Sequence, residues 1–407
     1  MSFRAYTFVL LSLIAGFLLA VPAFSLIIDP EDLRGIYGLT PPRYDGFDPT
    51  LERLGLRPLR DGNREAKTLN AAWFRPDGLA LGSSAVYSGI DPTFTAWEKV
   101  GVLKAFNYGL AGANIEEVAA FFKHVETLGK VSVAVVGFDF YMFNANKPPT
   151  PDFPLINFAQ SPSYKSVLAN KIWTRLLSQD YFFRCLDQVG STPKFLRFFS
   201  PAPAAVKPDP FLSRLAYFET HSTPVLYPGG PKGYSFVGKD GKSTFETLRA
   251  LIDLATKKHT KLYLFITPSN ARHYEIIRLM GLWPTFEQWM KQLVAVVDEE
   301  ARKNPDSSSV ELWDFCCYNS ITKDSSILPD DSSFVWYLDS IHFKKEVGNF
   351  VLDRMFGVTS PSQTMPPDFG VRLTAENIES RLAAIRAEQE VYETCLLYTS
   401  PSPRDRS

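Results

Sequence analysis

Hydrophobic and polar positions along this chain follow two periods. Residues 131–138 (VSVAVVGF) and 261–267 (KLYLFIT) are dense in apolar and β-branched residues, the pattern of strands buried in a parallel sheet. Residues 78–81 (GLAL), 103–108 (LKAFNY) and 310–315 (VELWDF) are shorter strand candidates. Between them, residues 115–128 (IEEVAAFFKHVETL) place apolar side chains at helical spacing, with Asn114 as N-cap, and residues 243–256 and 285–302 read as further helices. This alternation predicts an α/β fold with a mostly parallel sheet.

One region breaks the rhythm. Residues 141–240 contain KPPTPDFP, a helical stretch around 163–188 and a Pro/Gly-rich run to Pro231. A hundred residues is too long for a structureless loop, so this is expected to be an insertion forming a lid or small subdomain over a domain spanning 75–393.

The ends differ in kind. Between Arg4 and Asp29 lie 24 residues without a charge, long enough to span a bilayer, which takes about 20. Arg4 on one side and Asp29, Glu31 and Asp32 on the other leave the N-terminus in the cytoplasm by the positive-inside rule. Val21-Pro22-Ala23 also fits a signal-peptide cleavage point, but the run exceeds the usual 7–15 residue core of such a signal, roughly, which favours an uncleaved anchor over residues 1–30. Residues 31–74 then read as a juxtamembrane segment, and the body is expected outside the cytoplasm, in the periplasm or extracellular. At the other end CLLYTSPSPRD resembles translated sequencing-adapter DNA, and residues 394–407 are set aside as an artefact.

Composition narrows the partners. The 407 residues are 45% hydrophobic and 14% aromatic, enough for a sizeable core, and a net charge of −1 argues against nucleic acid as a main partner. Cys185 and the adjacent Cys316-Cys317 offer no metal-ligand spacing, so no metal or cofactor is expected.

Candidate chemistry sits after the strand-like runs, where open α/β sheets place their ligands. There lie Leu81-Gly82-Ser83-Ser84, then Gly109-Leu110-Ala111-Gly112, then Gly137-Phe138-Asp139, and finally Asp339-Ser340-Ile341-His342. A hydroxyl, a base and an acid that fixes the base's tautomer are what acyl transfer needs. Taken singly, Ser84 is also an ordinary turn serine and His342 an ordinary packing histidine.

Together these blocks resemble the SGNH/GDSL family of serine esterases and acyltransferases, in its membrane-anchored bacterial branch, over about 75–145 and 258–357. The resemblance implies a three-layer, flavodoxin-like α/β/α fold. It implies Ser84 as nucleophile, His342 as base, Asp339 as orienting acid and Gly112 as an oxyanion donor. The substrate would be an O-acylated carbohydrate or another ester. Asp139 departs from the pattern, standing where the family places an oxyanion-binding asparagine. It turns away, is protonated, or leaves the task to another donor. The other reading is a binding protein that keeps the fold and assists glycan assembly.

Overall fold

The apolar runs form one six-stranded sheet in the computed structural model, which describes residues 3–28, 64–150, 173–174, 176–188, 210–303, 310–359 and 364–399. β1 (Gly78–Ser83), β2 (Ala105–Leu110), β3 (Val133–Phe138), β4 (Lys261–Ile266) and β5 (Val310–Asp314) are parallel, and β6 (Val371–Arg372) pairs antiparallel with β5. The order β2-β1-β3-β4-β5-β6 is flavodoxin-like through its first five strands, with the switch point between β1 and β3. β1, β2 and β3 are buried along their whole length, as strands covered on both faces must be.

The chain divides into two compact units, residues 1–44, 48–74 and 154–208 in one, and 45–47, 75–153 and 209–407 in the other. The second holds the sheet and, among its helices, α3 (Ser84–Gly89), α4 (Ile115–Leu128), α6 (Phe211–Leu226), α7 (Thr244–Lys258), α8 (Ala271–Leu279), α9 (Trp283–Lys303), α10 (Lys345–Phe356) and α11 (Ile378–Thr399). Parallel crossovers are right-handed, so the reversal at β1 sends α3 to one face and α4, α7 and α9 to the other. The packing agrees: α7 lies against both α4 and α9, while α10 lies against α3. Asn114 caps α4 as expected, in a reciprocal pair with Glu117.

The first unit holds α1 (Phe3–Ile28), α2 (Arg64–Phe74) and α5 (Gln179–Gln188). Phe24 meets Phe182 edge-on at 5.9 Å between α1 and α5, and Cys185 is a buried thiol beside the Ser25 carbonyl. Among the described residues no helix is long and apolar enough to cross a membrane. The side chains of Leu13, Ile14 and Phe17, in the middle of α1, lie outside the description, so the expected anchor rests on the sequence alone.

Of the expected insertion, the described residues 176–188 belong to the first unit and 210–240 to the second. Of the helical stretch expected around 163–188, residues 163–172 and 175 lie outside the described residues, as does 29–63 of the juxtamembrane segment. α11 runs through Glu393 to Thr399, anchored by a buried pair between Arg381 and Asp314 at 2.7 Å.

Candidate active site

β1 passes directly into α3. Ser83 is the N-cap, its hydroxyl accepting from the Ala85 N–H at 3.0 Å, which puts Ser84 on the first helical position at the sheet's carboxyl edge. The helix can start there because three glycines leave room for it. A Cβ on Gly82 or Gly137 would lie 2.5 or 2.4 Å from Val86 Cγ2, and one on Gly109 would lie 2.3 Å from the Tyr87 nitrogen. Asn107, buried in β2, donates to the Val86 and Ile90 carbonyls at 2.9 and 2.6 Å and so satisfies the far end of α3.

The Asp339–His342 loop arrives from beyond β5. It closes on itself through the Leu338 N–H to the His342 carbonyl at 2.8 Å, and the Asn270 N–H binds the Ser340 carbonyl at 3.1 Å. Phe343 then packs on Gly89, and Gly348 of α10 packs against the Gly89 carbonyl. Both ends of α3 are therefore fixed, one by strand glycines and the other by the histidine loop.

The sequence-predicted residues meet. His342 Nε2 lies 2.8 Å from Ser84 Oγ across 258 positions of chain, and its Nδ1 lies 2.6 Å from Asp339 Oδ2. Asp339 Oδ1 also accepts from the Ile341 and His342 N–H groups at 2.8 and 2.9 Å. Burial alone would raise the Asp339 pKa, but the His342 charge, the ring hydrogen bond and these backbone donors bring it below the ordinary carboxylate value. Ser84 and His342 are half-buried, so the hydroxyl is within reach of a solute.

Gly112 sits at φ +60°, in the turn that follows β2. Leu110 pairs in register with Ser83, so Gly112 lies two residues past the strand partner of Ser84's neighbour, at the same sheet edge. Its left-handed backbone explains the glycine, since a Cβ there would meet nothing within 4 Å.

Asp139 is buried, with 5% exposure. Oδ1 accepts from the Thr267 hydroxyl at 2.5 Å, and Oδ2 has no hydrogen-bond partner of good geometry among the described residues. Burial raises its pKa, opposed by the Ser83 and Thr267 hydroxyls and by the His342 charge. Ser83, Asp139 and Thr267 close three adjacent strands, β1, β3 and β4, so this carboxyl lies at the switch point, within the electrostatic reach of His342.

Other residues at the site were not anticipated. Phe218 of α6 lies 5.9 Å from the His342 ring. α6 is held in place by a two-point pair between Arg272 and Glu219 and by Arg214 on the Asp331 and Ser332 carbonyls. His273 is buried on α8 with Nε2 3.1 Å from the Tyr227 hydroxyl, and burial pushes its pKa down to about 4. The aromatic spacing of α6 lay in a region with no resemblance to follow, and His273 carried no motif. The comparisons add no family: no protein-family model matches this chain, and no significant match is found among curated proteins.

Two predictions follow from this geometry. In Gly89→Ala the new Cβ would fall 1.9 Å from Phe343 Cε2, forcing the histidine loop or α3 to shift. The variant should lose about 1–3 kcal/mol of stability by overpacking. Ser84 reactivity should fall with it; thermal melting together with probe labelling checks both, and wild-type behaviour in both would show that the contact yields freely.

Asp139 gives the second. Its folded pKa lies above its unfolded value, so ionisation costs stability as pH rises from about 4 through the raised value. Asp139→Asn should therefore melt higher than wild type at pH 8, and the gain should shrink toward pH 4. An equal gain at both pH values would remove burial of the charge as its cause.

Proposed function

We propose that this protein is a serine-dependent acyl-transfer enzyme of the SGNH/GDSL type, an esterase, deacetylase or O-acetyltransferase. The observation that carries the reading is the relay from Ser84 Oγ through both ring nitrogens of His342 to Asp339, at the carboxyl edge of the sheet. His342 takes the serine proton as Ser84 attacks the acyl carbon and returns it to the leaving group, while Asp339 holds the tautomer and balances the imidazolium. The oxyanion donors are the Gly112 N–H and the Ser84 N–H, the latter on a helical position with no intrahelical acceptor. Ser84 carries the acyl group between the two half-reactions. Water as acceptor makes the enzyme a hydrolase, and a sugar hydroxyl makes it a transferase.

The proposed substrate is an O-acyl group, of envelope polysaccharide if the body is exported. Export rests on the uncharged run after Arg4 and its flanking charges. The second reading, a non-catalytic binding protein, rests on Asp139, a carboxyl where the resemblance expects an amide donor. Burial raises the Asp139 pKa and so disfavours a charge there, which weakens that objection.

A fluorophosphonate probe separates the two readings. It should label Ser84, and Ser84→Ala and His342→Ala should each lose at least about 10³-fold in rate, with the double variant little worse than either. Asp339→Asn should be impaired less completely. Wild-type turnover in Ser84→Ala on the true substrate would overturn the serine mechanism in favour of the binding reading.

The anchor has its own test. The intact chain should stay with membranes through a carbonate wash. Release into the soluble fraction would remove the anchor, and a mature chain starting near Ser25 would replace it with a cleaved signal.

A further inference from the structure

An acyl-transfer triad has two sides. The oxyanion forms where its donors are, and the alcohol leaves or attacks where the imidazole is, because Nε2 returns the proton to the alcohol oxygen. A side chain beside the His342 ring is therefore placed to border the alcohol half of an ester. Phe218 of α6 is such a side chain, with its ring centre 5.9 Å from that of His342 and tilted by 58°.

Both residues are anchored to the start of α8. Glu219, next to Phe218, forms a two-point pair with Arg272 at 3.0 and 2.8 Å, while the Asn270 N–H binds the Ser340 carbonyl of the histidine loop at 3.1 Å. α6 is also tied at its ends. The Phe211 N–H binds Asp331 Oδ2 at 3.0 Å, and the Tyr227 hydroxyl, just past the last turn, meets His273 at 3.1 Å. The helix is thus a fixed wall beside the base, and a shared support sets the spacing of Phe218 and His342.

Other residues seat the helix. Phe211, Leu215 and Leu226 are buried, whereas Phe218 is half-buried beside an imidazole that is itself half-buried. A partly exposed aromatic face suits a group with one apolar face and hydroxyls left in water, as a pyranose ring has. A long-chain alcohol asks instead for an enclosed apolar pocket.

We propose that Phe218 is a specificity-determining residue, forming the subsite for the alcohol half of the ester and packing its ring on the C–H face of a pyranose. This rests on the serine acyl-transfer reading above.

The test compares two reactions of the full chain. Fluorophosphonate labelling of Ser84 expels fluoride, so it reads the triad without an alcohol, while acetate release from an O-acetylated methyl pyranoside reads both. Phe218→Ala should lower kcat/KM for the pyranoside about 10- to 30-fold, chiefly by raising KM. Its labelling rate should stay within about twofold of wild type, with the same pH midpoint, because the imidazole is untouched. Phe218→Tyr, which keeps the flat face, should stay within about threefold of wild type on the pyranoside, and Phe218→Leu should fall with the alanine variant. Leu212→Ala, which trims an exposed side chain from the same helix, is the control and should behave as wild type.

Unchanged kcat/KM in Phe218→Ala, or a leucine variant equal to wild type, overturns the subsite. So does an equal loss of labelling rate or a moved midpoint, which would make Phe218 a support of the triad. A larger loss on octyl acetate than on the pyranoside overturns the sugar in favour of a long-chain alcohol. If Phe218→Ala does not fold, the tyrosine and leucine variants decide. Labelling of the wild type without acetate release from the pyranoside overturns the subsite and leaves the serine mechanism intact. No labelling of Ser84 in the wild type overturns the acyl-transfer reading, and the subsite with it.

Discussion

Close approach of α3 to the sheet is the constraint on which the site depends. A helix that begins on the last residue of a strand must pack its first turn against the neighbouring strand ends, and any side chain there would push it away. Gly82 and Gly137 make room for Val86, and Gly109 makes room for the Tyr87 backbone. Ser84 is then held by the helix rather than by a loop, with its hydroxyl bonded to the His342 ring. The histidine loop uses the same device at the other end of α3, through Phe343 and Gly348 on Gly89. The hydrogen bond across 258 positions depends on two steric contacts at the ends of one short helix.

This also explains what could be read from sequence. The strands with continuous apolar runs, β3 and β4, were placed to within two residues, because burial on both faces leaves little choice of side chain. β2 was placed two residues early, at 103–108 rather than Ala105–Leu110. Leu103 looks like a strand residue but is 83% exposed, whereas Gly109, which reads as a turn residue, is inside the strand. Asn107 is there to satisfy α3, and Gly109 to let it in. Local pattern fails where the strand serves the site.

The meeting of Ser84, His342 and Asp339 was legible because order along the chain and position after strands carry real constraints. The elements around them were not. α6 starts after Pro210 without a side-chain cap and contains Pro224, so it lacks the usual signals of a helix, and its place beside His342 is set by Arg272, Arg214 and their distant partners. Such contacts are properties of topology, and a single sequence does not display them.

The two acids nearest the base show how that topology divides the chemistry. Asp339 and Asp139 both act on His342 electrostatically, and their environments push them in opposite directions. Asp339 lies in a loop with two backbone N–H groups aimed at one oxygen and the imidazole at the other, so its charge is held. Asp139 follows a buried strand, and burial disfavours its charge although the Ser83 and Thr267 hydroxyls favour it. Pairs of carboxyls driven apart in this way take different roles in catalytic sites. The arrangement favours the charge of Asp339 beside the His342 ring and disfavours that of Asp139, whose Oδ1 accepts from Thr267 and so ties the end of β3 to that of β4. A carboxyl buried at the end of β3 and a carboxyl held by backbone donors in a loop are thus set apart by the elements that carry them.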